Sequence, residues 1–372
     1  MPEPRILLGL HCDMPDAGID AVAVELRGHG EPIRLQQRAH GVHPLPEELR
    51  SVLNARPETP GLPPETELDL RLGRAMADAA VGLSAEAGLK HEDVTAVGVL
   101  GLRRAGSAGG VRTCGLPEAV AQGTGLPAVG RFAASDIAAG GNGAAVWAWP
   151  AWRLLRHDRL SRVLVHIGQV TSLVFVGSGA EHEEVVAFDA GAGAGALDAL
   201  AARLLDVPGD ADGALAARGR FSAELVHELL AHPHHRQVAP KACDPHEWGT
   251  THAQRIELIG RKHGCEGPDL LATAVEAVAA AVEQAVGELT ERPHDVILAG
   301  LGAANITLAR RIRFRLSPSS TYTVERYGLG LRAVPATAAA VLAAAQLDGF
   351  PAHCPAASGA TRAAVLGSVS VP

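Results

Sequence analysis

Residues Arg5–Leu26 read RILLGLHCDMPDAGIDAVAVEL, and residues Val163–Val176 read VLVHIGQVTSLVFV. In both stretches two β-prone runs flank a turn that contains glycine, which is the pattern of a β-hairpin. The second stretch repeats this hairpin pattern about 150 residues after the first, as expected when one structural unit occurs twice in a chain. A chain of 372 residues has room for two domains. The repetition therefore predicts an α/β protein in which each of two domains carries the same strand–turn–strand unit.

The composition is that of a globular protein and argues against nucleic-acid binding. Hydrophobic residues make up 47% of the chain and charged residues 20%, so there is enough apolar surface to bury. Aromatic residues are only 3%, which predicts a core of Ala, Val and Leu and leaves no stacking platform for single strands. The net charge of −8 removes the basic surface that a duplex binder needs.

The start of the chain and its cysteines indicate a cytoplasmic protein that does not associate with membranes. The first residues, MPEPRILLGLHCD, lack the basic region and the long apolar run of a signal peptide or an anchor. No run is expected to approach the ~18 apolar residues of a membrane span. The cysteines are scattered and predict neither a disulfide framework nor a zinc ribbon; they are Cys12, Cys114, Cys243, Cys265 and Cys354.

Further elements follow the second hairpin. The residues from 184 to 188 are β-prone, Asp189 follows them, and the run AGAGAGA then leads into a helix over Leu197–Leu205. Apolar side chains at helical spacing predict a long helix over Asp269–Leu289. After it we expect a strand over Val296–Ala299, a turn at Gly300 and Gly302, a helix over Ile306–Leu316 capped by Asn305, and a helix over Ala336–Gln346.

Four glycine turns could let backbone N–H groups approach an anion. They lie at Gly9–Gly18, Gly168, Gly191–Gly195 and Gly300–Gly302. Such turns, particularly before a helix, are suited to phosphate, because the helix dipole adds a favourable field. A single one is more often only a tight turn. Four in one chain, two of them on a duplicated hairpin, favour a nucleotide held between two related domains.

The order of these segments resembles the actin and sugar-kinase superfold, and within it the anhydro-N-acetylmuramic acid kinases. The matching segments are, in chain order, SDIAAGGNGA at Ser135–Ala144, FDAGAG at Phe188–Gly193, Asp198, APK at Ala239–Lys241, DLLAT at Asp269–Thr273, GLGAAN at Gly300–Asn305 and SGATRAAVLG at Ser358–Gly367. The resemblance implies a two-domain actin-like ATPase fold, α/β and ribonuclease-H-like, with a central cleft. It implies an N-terminal domain of residues 1–126 plus 363–372 and a C-terminal domain of residues 127–362.

The resemblance also implies a reaction and the residues that serve it. A member of this family uses ATP and Mg²⁺ to open the ring of 1,6-anhydro-N-acetylmuramic acid with water and to phosphorylate O6, a step of cell-wall recycling. Asp189 matches the carboxylate that takes a proton from the water. The implied nucleotide-binding residues are Gly9, Cys12, Asp13, Gly18, Asp20, Gly168, Gly191, Gly193, Gly300, Gly302 and Asn305. Asp136, Gly141 and Lys241 are implied to bind the sugar. No protein ligand to the metal is assigned, and a homodimer is left open.

Several positions depart from the family pattern. In the first turn, GLHCDMPDAGID stands where the family has G-M-S-G-T-S-L-D-G-I-D, so that Cys12 replaces a glycine. In the second turn His166, Gln169 and Ser172 replace Asn, Gly and Asn, and Ala133 replaces the arginine expected to face the sugar's carboxylate. These departures leave two alternatives open, a catalytically silent relative that keeps the fold and a kinase of a different sugar.

A histidine-rich segment over residues 227–252 remains. His227, Glu228 and His232 form H-E-x-x-x-H, one residue too long for the H-E-x-x-H zinc helix, whose ligands must lie one turn apart on one face. The segment also contains His234, His235, His246, Glu247 and His252 and could bind a divalent ion, but we interpret it as a solvated loop. The stretch His232–Gly249 is long enough to be an active-site flap or simply a loop.

Overall fold

The computed structural model describes residues 3–28, 34–55, 59–105 and 111–372. Its strands are β1 Arg5–Cys12, β2 Ile19–Arg27, β3 Arg34–His43, β4 Val94–Ala105, β5 Val111–Cys114, β6 Ala128–Gly130, β7 Arg162–Ile167, β8 Val170–Val176, β9 Val186–Ala192, β10 Asp295–Ala299, β11 Ser320–Thr323 and β12 Ser368–Ser370. Its α-helices are α1 Glu47–Asn54, α2 Glu65–Glu86, α3 Pro117–Thr124, α4 Phe132–Ala138, α5 Ala148–Leu155, α6 Ala194–Leu205, α7 Ala223–Leu230, α8 His252–Lys262, α9 Gly267–Gly287, α10 Ile306–Arg315, α11 Val334–Leu347 and α12 Pro355–Ser358.

The chain forms two compact units. Unit 1 contains residues 1–151 and 328–372, and unit 2 contains residues 152–327. Within the described ranges of unit 1, strands pair in the order β12-β6-β4-β1-β2-β3, and β5 pairs with β4. β1 and β2 form the antiparallel hairpin predicted from the sequence, while β1 runs parallel to β4.

Helices cover both faces of the unit 1 sheet. Leu8 and Leu10 of β1 pack in one apolar cluster with Leu72 and Met76 of α2. Gly9, between those two leucines, points to the opposite face, because side chains alternate along a strand. A Cβ on Gly9 would overlap the backbone carbonyl of Ala336 in α11. The absence of a side chain there lets α11 lie directly on the sheet.

Unit 2 is built on a second sheet. Its strands, all of them within described residues, pair in the order β11-β10-β7-β8-β9. β10 is parallel to both β7 and β11, and β8 is antiparallel to both of its neighbours, β7 and β9. The second predicted hairpin is therefore confirmed as β7–β8. The predicted helices around residues 197–205, 269–289 and 306–316 are confirmed as α6, α9 and α10.

Helix α9 contradicts the expectation that no segment of the chain is long and apolar enough to span a membrane. Among the residues that the structure describes, it is the one helix long and apolar enough to cross a membrane by length and composition, with a mean hydropathy of 1.4 over its most apolar window. That window is 83% buried in the structure, and α9 packs against α7 and α10. Its apolar surface is thus used in the core of unit 2.

The unit boundaries differ from the domain limits expected at residues 126/127 and 362/363. Strand β6 pairs with β4 and β12 of the first sheet, which draws the residues just after position 126 into unit 1. Helix α11 packs on β1 and β4 and draws the residues after position 327 into the same unit. Backbone pairing and helix packing decide these limits, and neither is visible in the local composition.

Candidate active site

Three of the predicted glycine turns of unit 2 meet at the C-terminal end of β7. Gly168 follows β7 directly, and a Cβ on Gly193 would overlap its carbonyl oxygen. A Cβ on Gly300 or Gly302 would overlap Ile167, the last residue of β7. The turn before α6 and the turn after β10 therefore both lie against this strand end, which is where the predicted nucleotide-contacting glycines of the unit come together.

Asp189 lies in the middle of β9, with both carboxylate oxygens bonded. It is opposite Ser172 of β8 in the antiparallel ladder. Ser172 Oγ donates to its Oδ1 at 2.6 Å, and the backbone N–H of Cys243 donates to its Oδ2 at 2.7 Å. The sequence pattern predicted that the strand ends before Asp189, and this expectation is wrong. The strand continues to Ala192, and Asp189 is 3% exposed.

The segment from His234 to Cys243 runs along β9 and fixes the backbone of Asp189. The N–H of Asp189 donates to the carbonyl oxygen of Lys241 at 3.0 Å. Nε2 of His234 lies 2.8 Å from the carbonyl oxygen of Asp189 and 3.3 Å from Sγ of Cys243. Asp189 is consequently held through its main chain as well as its carboxylate.

The histidine-rich segment packs around Trp248. His232, His234 and His235 meet its ring edge-on at centroid distances of 4.7, 5.1 and 5.5 Å, and His252 stacks on it at 4.9 Å. Burial lowers the pKa of His235 to about 4 and that of His252 to about 3, and it also lowers those of His232 and His234. The expectation of a solvated loop is wrong, because the rings of His234, His235 and His252 are buried and pack on Trp248. Among the described residues, no group of three His, Cys, Asp or Glu could hold a metal ion.

Gln169 forms the tip of the β7–β8 hairpin and packs against the start of α6. Its Nε2 donates to the carbonyl oxygen of Pro245 at 3.0 Å. A Cβ on Gly195 or on Gly249 would overlap the Gln169 amide, so this side chain fills the space between them. The N-terminus of α6, a place suited to an anion, thus has a neutral amide beside it.

In unit 1 the predicted first-turn residues are mostly buried or bonded. Gly9 lies inside β1, and Cys12 ends that strand with a fully buried thiol, whose pKa burial raises. Gly18 turns the chain with a φ of 81° before β2. Asp20 is 2% exposed and bonded to His40 and Arg332. Asp13 is partly exposed just after β1.

Asp136 organises the loop that was predicted to bind sugar. Its Oδ1 accepts from Ser358 Oγ at 2.5 Å and lies 2.7 Å from His353 Nε2, and its Oδ2 accepts from the N–H of Gly143 at 2.7 Å. Burial alone would raise the pKa of Asp136, but these hydrogen bonds outweigh it and lower the pKa. A Cβ on Gly141 would overlap the carboxylate. Both residues therefore have structural contacts within unit 1, and sugar contact by them stays a prediction.

Lys241 and Asn305 are likewise bonded within unit 2. Nζ of Lys241 lies 3.0 Å from Oε2 of Glu288 and 5.1 Å from the centre of the Phe188 ring. Oδ1 of Asn305 accepts from the N–H of Leu308 at 2.8 Å, which confirms the predicted helix cap, and its Nδ2 donates to the backbone carbonyl oxygen of Asp210. Nucleotide contact by Asn305 stays a prediction.

Sequence reasoning missed the partners that hold these side chains. Ser172 was noted only as a replacement, although pairing the β-prone segments would have placed it beside Asp189. Cys243, His353 and Arg332 gave no local signal, since they meet Asp189, Asp136 and Asp20 only through the tertiary fold.

The chain is similar to a known protein family, to individual members of it and to solved structures. The family model of anhydro-N-acetylmuramic acid kinase matches residues 6–372. The chain is 32% identical to the anhydro-N-acetylmuramic acid kinase of Salinibacter ruber over 99% of this chain and 96% of that protein, and 29% identical to that of Gloeobacter violaceus over 99% of each. It is also similar in structure to the activator of the 2-hydroxyisocaproyl-CoA dehydratase from Clostridium difficile, with a TM-score of 0.47 and 14% identity over 91% of this chain and 94% of that one.

The family match runs through both units and contains each segment on which the sequence resemblance was based. Together with the two β-sheets and the helices between their strands, the family match confirms the predicted fold class. The chain belongs to the anhydro-N-acetylmuramic acid kinase family.

Proposed function

We propose that this protein is an ATP-dependent kinase of 1,6-anhydro-N-acetylmuramic acid that opens the anhydro ring as it phosphorylates O6. The oxygen of a water molecule bonds to C1, and the C1–O6 bond breaks. O6 bonds to the γ-phosphorus of ATP, and the bond from that phosphorus to the β–γ bridging oxygen breaks to release ADP. Asp189 takes a proton from the attacking water. The products are the 6-phosphorylated sugar and ADP.

The observation that carries the proposal is the two-point attachment of Asp189. A general base must be ionised and oriented, and a positioned one contributes about 10² to 10⁴ in rate. Hydrogen bonds from Ser172 and from the N–H of Cys243 favour the ionised form and set the plane of the carboxylate. Because Asp189 is 3% exposed, the proposed reaction requires a rearrangement on substrate binding that admits water to it.

The glycines at the end of β7 fit the phosphates of ATP. Backbone N–H groups at such turns can approach an anion where a Cβ would not fit. Gly168, Gly193, Gly300 and Gly302 lie in the turns that follow or flank β7, and Gly191 lies near the end of β9. Mg²⁺, when bound, would neutralise charge on the phosphates. In unit 1, Cys12 and Asp20 do not fit a phosphate, because one is a buried neutral thiol and the other a buried carboxylate.

A catalytically silent relative is the second candidate, and one observation favours it. The Gln169 amide fills the space beside the N-terminus of α6. If that arrangement persists with nucleotide present, the phosphates lose one anion-binding position. A kinase of a different sugar is the third candidate, because Ala133 stands where the family has the arginine that faces the lactyl carboxylate.

Mass detection of the product tests the proposal. Incubation with ATP, Mg²⁺ and 1,6-anhydro-N-acetylmuramic acid should yield a product heavier by one water and one phosphoryl group. Asp189→Asn should lower the rate at least about 10²-fold. Asp206→Asn, the same change at the exposed end of α6, should not. No product, together with no shift in thermal unfolding by millimolar ATP, would favour the silent relative, since nucleotide at 100 Kd stabilises by about 2.7 kcal/mol.

A further inference from the structure

A row of three polar residues crosses the sheet of unit 2. His166 of β7 is directly opposite Ser172 of β8, and Ser172 is directly opposite Asp189 of β9. Residues directly opposite each other in adjacent strands have their side chains on the same face, with Cβ atoms about 5 Å apart. All three are buried, and the adjoining strand residues Val165, Leu173 and Phe188 are buried and apolar. Buried polar side chains are normally held by hydrogen bonds, so the bonding partners of this polar row need to be identified.

The middle member of the row donates to the last. An ionised carboxylate only accepts hydrogen bonds, so the hydroxyl proton of Ser172 is directed at Oδ1 of Asp189 across the 2.6 Å separation. Hydrogen bonds to a charged acceptor are about twice as strong as neutral ones. The N–H of Cys243 holds Oδ2 from the other side. With one donor on each oxygen, the carboxylate is fixed in rotation.

We propose that Ser172 is a positioning residue for Asp189, holding its carboxylate ionised and oriented for proton transfer. The catalytic part of this inference rests on the proposed function of Asp189. Ser172 acts through Asp189 and is not itself assigned any contact with substrate.

The surroundings of Asp189 contain other titratable groups that an experiment must keep apart from the effect of Ser172. They are His166 on β7, His234 and His235 in the 233–236 turn, Lys241 and Cys243 beyond it, Glu247 in the 247–251 turn, and Glu288 after α9. None of these groups is altered when Ser172 is replaced, so a change in pH dependence reports the lost hydroxyl.

The matched comparison uses two neighbouring hydroxyls of β8. Ser172→Ala removes the donor to Asp189, and Thr171→Val removes a buried hydroxyl that donates to the carbonyl oxygen of Ala192 at 2.7 Å. Without the Ser172 donor, the ionised form of Asp189 is less favoured, so the acid limb of the kcat–pH profile should move up by about one unit. This lowers kcat roughly tenfold on that limb, with little change in KM for ATP.

Ser172→Thr keeps a hydroxyl and should restore the position of the limb, whereas Thr171→Val should not move it. A profile for Ser172→Ala that superimposes on the wild-type profile overturns the inference, as does an equal shift in Thr171→Val.

A cycle on the free energy of unfolding tests the same contact without activity. At pH 7.5, Ser172→Ala should lower this free energy more in the wild-type background than in the Asp189→Asn background, because only the former has the charge-assisted bond. If the wild-type protein forms no product, the proposed function fails and the cycle alone decides the inference. Additive effects in the cycle overturn it.

Discussion

The guanidinium group of Arg332 donates to Oδ2 of Asp20, at 2.9 Å from Nη2 and 3.2 Å from Nε. The two residues are 312 positions apart in the chain, and Asp20 is almost fully buried. Nε2 of His40 lies 2.8 Å from the other oxygen, and Nη2 of Arg332 also donates to the carbonyl oxygen of Ala17. Hydrogen bonds to Arg332 therefore join the start of β2 to the segment that precedes α11.

Arg332→Met should destabilise unit 1 by about 3 kcal/mol, because it leaves a buried carboxylate without its main countercharge. Urea unfolding at pH 7 measures this effect. The double change Asp20→Asn with Arg332→Met removes both charges and should recover a large part of the loss. Equal losses in the single and the double variant would show that the ion pair itself contributes little.

Local signals in the sequence were enough to predict the elements of the fold. Asn305 before an apolar-periodic run predicted a helix cap, and its Oδ1 does accept from the N–H of Leu308. The spacing over residues 269–289 predicted α9 to within two residues at each end. Both features depend on contacts within one or two helical turns, so periodicity and capping preference are sufficient.

The candidate site was harder to predict, because its residues meet partners distant in the chain. Asp189 was expected at a strand end because glycines follow it, yet β8 pairs with β9 as far as Ala192 and keeps Asp189 inside the sheet. The histidines from His232 to His252 suggested a solvated loop by composition. Their packing around Trp248 depends on tertiary contacts that composition does not encode.

Gly9→Ala should destabilise the protein by about 3 kcal/mol or more, because the added Cβ would overlap the carbonyl of Ala336 and push α11 off the sheet. Gly287→Ala is the matched control. It lies at the end of α9 with open space around it and should be neutral or stabilising by about 0.5 kcal/mol. Thermal unfolding of both variants measures the difference. A mild effect of Gly9→Ala would mean that α11 and β1 are less closely packed than described.

Asp136→Asn should lower the free energy of unfolding by about 3 kcal/mol at pH 7. The carboxylate accepts hydrogen bonds from Gly143, His353 and Ser358, and an amide NH₂ in place of one of its oxygens cannot accept them. The pKa of Asp136 is lowered in the folded state, so its contribution is complete above the unfolded value near 3.8 and is lost as the pH falls through the folded value. Urea unfolding at pH 7 and pH 3 should therefore show a smaller difference between variant and wild type at pH 3. Ser358→Ala removes one donor only and should cost about 1 kcal/mol at pH 7. A penalty for Asp136→Asn that is the same at both pH values would contradict the lowered pKa.

The histidines around Trp248 should make the protein less stable in mild acid. The pKa values of His235 and His252 are about 4 and 3 in the folded state, against 6.5 for the ordinary side chain. As the pH falls, these histidines therefore bind protons in the unfolded chain before they do so in the folded protein. Their contribution to the free energy of unfolding is fully present above pH 6.5 and is lost as the pH drops from 6.5 toward 4. The slope is about 1.4 kcal/mol per pH unit for each such histidine.

His252→Phe keeps a ring on Trp248 without a titrating group and should reduce the loss of stability between pH 6.5 and pH 5 by about 2 kcal/mol. Urea titrations at the two pH values measure it. His91→Phe, at an exposed position of unit 1, serves as the control and should leave the pH dependence as it is. An unchanged loss in His252→Phe would mean that this imidazole is already protonated or solvated in the folded protein.

Gln169→Ala should strengthen nucleotide binding if the phosphates of ATP approach the N-terminus of α6. The change removes the amide that lies against Gly195 and Gly249, at the cost of one hydrogen bond to Pro245, about 1 kcal/mol of stability. An anion at a helix N-terminus gains about 1 kcal/mol from the dipole, so the Kd of a non-hydrolysable ATP analogue should fall about fivefold in calorimetry. Gln284→Ala, which removes an amide donating to the carbonyl oxygen of His235 in the same unit, should not change that Kd. Weaker binding in Gln169→Ala would instead make this glutamine a ligand of the nucleotide, and an unchanged Kd would place the phosphates away from α6.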